Sequence, residues 1–120
     1  LRVSQNAGRC TLTAEAQWVG GDLLVVLTGG DAHIGSVSCA AAGEPLHSHQ
    51  SPHHRDAALG DRFALALHRA LGVKAVVLCG VHVDGITSEE IRQILDAGEA
   101  LLERLSQRLL AGREAVLRAH

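Results

Sequence analysis

Residues 73–83, Val73-Lys74-Ala75-Val76-Val77-Leu78-Cys79-Gly80-Val81-His82-Val83, are apolar nearly throughout. The next eight, Asp84-Gly85-Ile86-Thr87-Ser88-Glu89-Glu90-Ile91, switch abruptly to turn and cap chemistry. A continuous β-branched run with a tight Asp-Gly exit reads as the central strand of a sheet. Thr87 and Glu90 then stand at the spacing of a capping box, and Ile86 can staple onto Ile91. The helix that starts there carries Ile91, Ile94, Leu95, Leu101, Leu102, Leu105 and Leu109 along one face. Gly98 interrupts that stripe where a close-packed neighbour would require it.

Upstream of the central strand a first helix is expected. Ser51 or Asp56 can cap it, and Pro52 suits its first turn. Leu59, Phe63, Ala66, Leu67, Ala70 and Leu71 fall on one face, with His68 on the solvated side, and Gly72 ends it. The first third reads as strands over 10–19, 23–28 and 33–41, separated by Gly20-Gly21-Asp22 and Gly29-Gly30-Asp31. Two tight turns predict an antiparallel three-stranded meander. The order β-β-β-α-β-α then gives an α+β fold of two layers. A mixed sheet of about four strands carries both helices on one face. Sheet order 3-2-1-4 is expected, with a parallel crossover into the fourth strand. The uncovered sheet face and the Leu-rich last helix predict a homo-oligomer.

A chain of 120 residues leaves room for one domain, residues 1–120. Apolar residues make up 47%, charged residues 20%, and the net charge of −2 leaves no basic footprint for nucleic acid. Trp18 and Phe63 are the only aromatics, so no stacking platform for bases exists. The longest strongly apolar run, 75–83, is far short of a bilayer span, and the start does not read as a signal peptide. No membrane association and a cytoplasmic location are the expectation. Cys10, Cys39 and Cys79 show no paired spacing and read as free thiols.

Against this plain background stand eight histidines, four of them within 46–55. Imidazole is the commonest metal ligand. His33 follows the Gly29-Gly30-Asp31 turn, whose glycines would let backbone approach a ligand closely. His47 and His49 read as parts of a solvated polar loop, whereas His53 and His54 sit by a helix start. His82 shares a strand face with Asp84 at the carboxyl end of the central strand, the rim that ligands favour where strands run parallel. Taken alone, each has an ordinary reading as a turn residue or a locally bonded histidine. Taken together, His33, His54 and His82 could surround one divalent ion, zinc or a similar metal, with an open position. A stand-alone metal-dependent hydrolase is one outcome, with Asp31, Asp84 or Glu44 as base; a non-catalytic regulatory subunit is another.

Three segments carry a resemblance. They are Leu27-Thr28-Gly29-Gly30-Asp31-Ala32-His33-Ile34-Gly35-Ser36-Val37, Pro52-His53-His54-Arg55-Asp56-Ala57-Ala58-Leu59, and residues 77–91 from Val77-Leu78-Cys79-Gly80-Val81-His82 through Glu90-Ile91. In these the chain resembles the LpdD-like prenylated-flavin chaperone domain, the small D-subunit family of gallate-type decarboxylase operons. The resemblance implies an accessory, non-catalytic role: helping a UbiD-type (de)carboxylase acquire or mature its prenylated flavin mononucleotide (FMN), bound transiently. It carries metal- or cofactor-facing roles onto His33, His54 and His82. Cofactor contacts are then expected at Gly29, Gly30, Asp31, Arg55 and Asp84.

Overall fold

The computed structural model describes residues 1–52 and 56–119. Its elements are β1 (Arg2–Ala7), β2 (Cys10–Val19), β3 (Asp22–Gly30), β4 (Ser36–Ala40), β5 (His47–Gln50), α1 (Ala57–Leu71), β6 (Ala75–His82) and α2 (Ser88–Ala119). The strands form one mixed sheet in the order β1-β2-β3-β6-β4-β5. Helix α1 lies on β4, β5 and β6, and α2 on β1 and β2, so both helices cover the same face.

The two-layer α+β reading therefore holds, but the sheet has six strands rather than four. The extra ones are β1 and β5. Strand β5, His-Ser-His-Gln, is exposed along its whole length and was expected to be loop. It is held by pairing with β4, from Ser36 opposite Gln50 to Cys39 opposite His47. The expected meander also fails at its third strand. Strand β6 inserts between β3 and β4, parallel to the first and antiparallel to the second. The predicted neighbour of the central strand is residues 10–19; the observed neighbours are Asp22–Gly30 and Ser36–Ala40. The cause lies in residues 31–35, which cross the end of β6 instead of reversing into a hairpin. The Asp31 and Gly35 amides donate to His82 O and Cys79 O, at 3.0 and 2.9 Å.

Alternation sets the two faces of the sheet. Leu12, Ala14, Leu23, Val25, Leu27, Ala75, Val77 and Cys79 point under the helices and are buried. From α1 come Leu59, Phe63, Ala64, Leu67 and Leu71, while Ala70 stays exposed. From α2 come Ile94, Ala97, Leu101, Leu102, Leu105 and Leu109; Ile91 and Leu95 miss the buried stripe. Gly98 serves as expected, since a Cβ there would lie 2.9 Å from Leu59 Cδ1. The capping box forms reciprocally: the Thr87 amide donates to Glu90 Oε1 at 3.0 Å, and the Glu90 amide to Thr87 Oγ1 at 3.1 Å. Gly72 ends α1 with φ 68° and donates its amide to His68 O.

Phe63, the one phenylalanine, is fully enclosed at 0% exposure. In a core otherwise built of aliphatic side chains nothing is large enough to collapse into its place. Phe63→Ala is expected to cost about 3–5 kcal/mol, measurable by urea denaturation.

Candidate functional site

Strands β3 and β6 run parallel and end together, with Gly30 opposite His82 as their last registered pair. Backbone approach at this rim is tight. Gly30 has φ 65°, and a Cβ there would lie 2.0 Å from His82 O. That conformation swings the chain so that Asp31 stands beside His82. On the other side Asp84 follows β6, and its Oδ1 lies 2.9 Å from His82 Nε2. The potential ligand atoms of Asp31, His82 and Asp84 all fall within 4.8 Å of one another, on exposed side chains.

The loop carrying Asp84 is clamped from the opposite edge of the sheet. Arg9, in the β1–β2 turn, donates Nη2–H to Asp84 O at 2.9 Å and engages both oxygens of Glu90. The Arg9 bond, followed by the Thr87 amide, holds the Glu90 carboxyl at about 2, well below its usual 4.5. A depressed carboxyl stabilises the folded state above its unfolded value and loses that contribution as pH falls. The clamp's contribution to stability is therefore complete above about pH 5 and is lost progressively between about pH 4.5 and 2, the ion pair itself persisting until Glu90 protonates near the bottom of that range. Glu90→Gln should flatten this acid dependence, read by hydrogen exchange at the amides of 84–90.

A second layer sits behind the rim. Asp56 occupies the N-cap position of α1, yet its carboxylate makes no cap hydrogen bond. It is diverted into the sheet, where Oδ1 accepts the Val81 amide at 2.9 Å and Oδ2 lies 3.2 Å from His33 Nε2. His33 Nδ1 in turn lies 3.0 Å from Asp31 O. A neutral imidazole donates from one nitrogen only. The two ring nitrogens each face an acceptor, the Asp56 carboxylate and the Asp31 carbonyl. The chain Val81–Asp56–His33–Asp31 thus ties the rim loop to the strand beneath it. Asp56 is 7% exposed. Asp56→Ala leaves the half-buried Val81 amide without this acceptor and should cost about 1–3 kcal/mol; Asp56→Asn, which keeps one acceptor, should cost less. Thermal denaturation of the two variants gives the comparison.

The sequence-derived candidates fall into distinct places. His33 and His82 are brought together, with ring centroids 6.4 Å apart. His33 is nevertheless outside the group within ligating reach, because its nitrogens face Asp31 O and Asp56. Asp31 and Asp84, expected as cofactor contacts, are inside that group. Gly30 lies at the rim, whereas Gly29 turns inward, where a Cβ would meet Leu12 Cδ2 at 2.7 Å. His54 and Arg55, with His53 and His120, lie outside the described residues. His68 is not the solvated residue expected: it is half-buried, and its Nδ1 lies 2.7 Å from Val73 O. Asp56 and Arg9 were missed, since an acidic residue before a helix reads as a cap and an arginine in a turn as solvated.

One imidazole and two carboxylates form a donor set for a first-row divalent cation such as Mn²⁺, Fe²⁺ or Zn²⁺. The set fits such an ion: two exposed carboxylates side by side repel, and a cation between them relieves that repulsion. Cys79, close behind, is no candidate ligand. Burial, with Asp56 nearby, pushes its thiol up to about 12.

Comparison with known proteins places the chain in a family. The family model described as the prenylated flavin chaperone LpdD-like domain matches residues 6–110, which include the rim and its supporting layer. Protein LpdD of Lactiplantibacillus plantarum is 30% identical over 110 residues, covering 87% of this chain and 78% of that protein. The chain belongs to the LpdD-like prenylated-flavin chaperone family.

Proposed function

We propose that this chain, acting as a single domain over residues 1–120, is a non-catalytic carrier that holds prenylated FMN for a UbiD-type (de)carboxylase. In this reading it works in the cytoplasm, self-associates, and uses a divalent cation at Asp31, His82 and Asp84. The observation that carries the reading is the convergence of those three side chains at the carboxyl-terminal rim of the parallel pair. No helix among the described residues is long and apolar enough to cross a membrane.

The electrostatics say why a cation belongs in the reading. A flavin phosphate approaching Asp31 and Asp84 meets like charge, and at contact distances that repulsion opposes binding. The Asp31 amide does not serve a phosphate oxygen, because it is donated to His82 O. A bound divalent ion would neutralise the two carboxylates and offer the phosphate a ligand position. His33 and Asp56 would hold Asp31 in place for that ion.

Equilibrium dialysis of FMN against the metal-free protein, with and without Mn²⁺, tests this. Retention that needs the cation and disappears with a chelator is expected. Equal retention in the presence of chelator would remove the cation from the role. Turnover of a model ester by the zinc-loaded protein would instead favour a hydrolase.

A further inference from the structure

The sheet face away from the helices carries two transverse rows set by strand register. One runs Glu15–Val26–Leu78–Val37–His49 across β2, β3, β6, β4 and β5. The other runs Gln17–Leu24–Val76–Cys39–His47 across the same strands. Each row is an apolar trio flanked on β2 by a carboxylate or amide and on β5 by an imidazole. Beyond Glu15 the edge strand β1 adds Arg2, whose exposed guanidinium lies 3.6 Å from the Glu15 carboxylate, so an imidazole reaching Glu15 would share it with Arg2. The six central side chains are only half-buried, although no helix covers them. Over β2 and β3 there is also a hollow of about 270 Å³, lined by Glu15, Gln17, Leu24 and Val26 among others.

Both rows are symmetric in kind about β6. A two-fold axis lying in this face, parallel to the strands and over β6, exchanges β2 with β5 and β3 with β4. It lays the apolar trios on one another and sets Glu15 against His49 and Gln17 against His47. It also brings the imidazoles of β5 over the hollow beside β2. An isologous interface needs this kind of self-complementarity, and stacked sheets pack about 10 Å apart with interdigitating side chains. A two-fold axis perpendicular to the strands would instead set β5 over β5 and β2 over β2, so that histidine faces histidine and Glu15 faces Gln17 or its own copy.

We infer that this face is the interface of a homodimer built on the strand-parallel axis, with Glu15 of one copy bonded to His49 of the other. The inference rests on the self-association proposed above and adds its surface and orientation. The rim at Asp31, His82 and Asp84 lies at the strand ends, beyond both rows.

Sedimentation equilibrium of the whole chain tests it. The wild type should approach twice 12.6 kDa with rising concentration. Leu78→Lys, which sets two like charges together on the axis, should raise the dimer Kd at least 100-fold while leaving the circular dichroism spectrum unchanged. Glu15→Lys and His49→Glu should each weaken the dimer about tenfold, and the double variant should restore it to within about threefold of wild type. Within one chain these residues lie four strand spacings apart, about 19 Å, so the rescue must arise between chains. A wild type that stays monomeric overturns this inference together with the self-association. A dimer that survives Leu78→Lys, or shows no rescue in the double variant, overturns the face and axis but leaves self-association standing. Should Leu78→Lys unfold, the charge exchange decides alone.

Discussion

Replacing His82 by Ala is expected to lower divalent-cation affinity by at least ~100-fold, while His68→Ala leaves it unchanged. His82 is the one imidazole in the group within ligating reach, and the two carboxylates beside it are exposed side chains. Without His82 the rim keeps only Asp31 and Asp84, a pair no different from other surface acids. Asp84→Asn keeps size but removes a charge, so it should fall between wild type and His82→Ala. Calorimetric titration with Mn²⁺ and Zn²⁺ reads these differences directly. Because His82 is half exposed and ends its strand, its loss should leave the melting temperature nearly unchanged. Binding that survives His82→Ala would place the ion elsewhere.

Gly80→Ala should do the reverse, damaging stability and site together. A Cβ on Gly80 would lie 1.7 Å from His33 O and 2.5 Å from His33 C, both backbone atoms. The crossing loop cannot simply retreat, for its amides at Asp31 and Gly35 are bonded to β6 on either side of the clash. Either the loop leaves or β6 shifts. A loss of about 3–5 kcal/mol is expected, along with most of the cation affinity, since Asp31 travels with the loop. Gly112→Ala is the control. It lies in α2 with open space around it, and should stabilise by about 0.5–1 kcal/mol through helix propensity. Urea unfolding of the three proteins measures the contrast.

What could be read from the sequence was whatever local chemistry decides. The capping box at Thr87 and Glu90, the left-handed Gly72, the close approach at Gly98 and the strand read over 73–83, which forms over 75–82, all follow from residue types at fixed spacing. What could not be read depends on partners. Strand β5 has no apolar alternation, because its extended form comes entirely from pairing with β4. Gly29-Gly30-Asp31 carries hairpin chemistry, and nothing in a turn tripeptide says whether the next strand pairs beside it or lies beyond an inserted one. The misplaced strand order followed from that single ambiguity. At the site, His33 and His82 were found as a pair, and Asp31 and Asp84 as neighbours. The role of Asp56 was hidden, since its ligands, Val81 N and His33, come from segments 23 or more positions away.

The insertion of β6 between β3 and β4 has a consequence for biosynthesis. The two hairpin-linked groups, β1-β2-β3 and β4-β5, emerge first from the ribosome and share no ladder with each other. Each has an open edge that only β6 closes, and it is the last strand to be made. The nascent chain therefore holds two unjoined half-sheets until residue 82 is out. Long-range closure of that kind slows folding and leaves sticky edges exposed meanwhile. The rim is built at the same seam, with Asp31 from one half and His82 and Asp84 from the strand that joins them. A chain whose β6 has not yet docked thus has no assembled rim, so loading with an ion or cofactor would report that the sheet has closed.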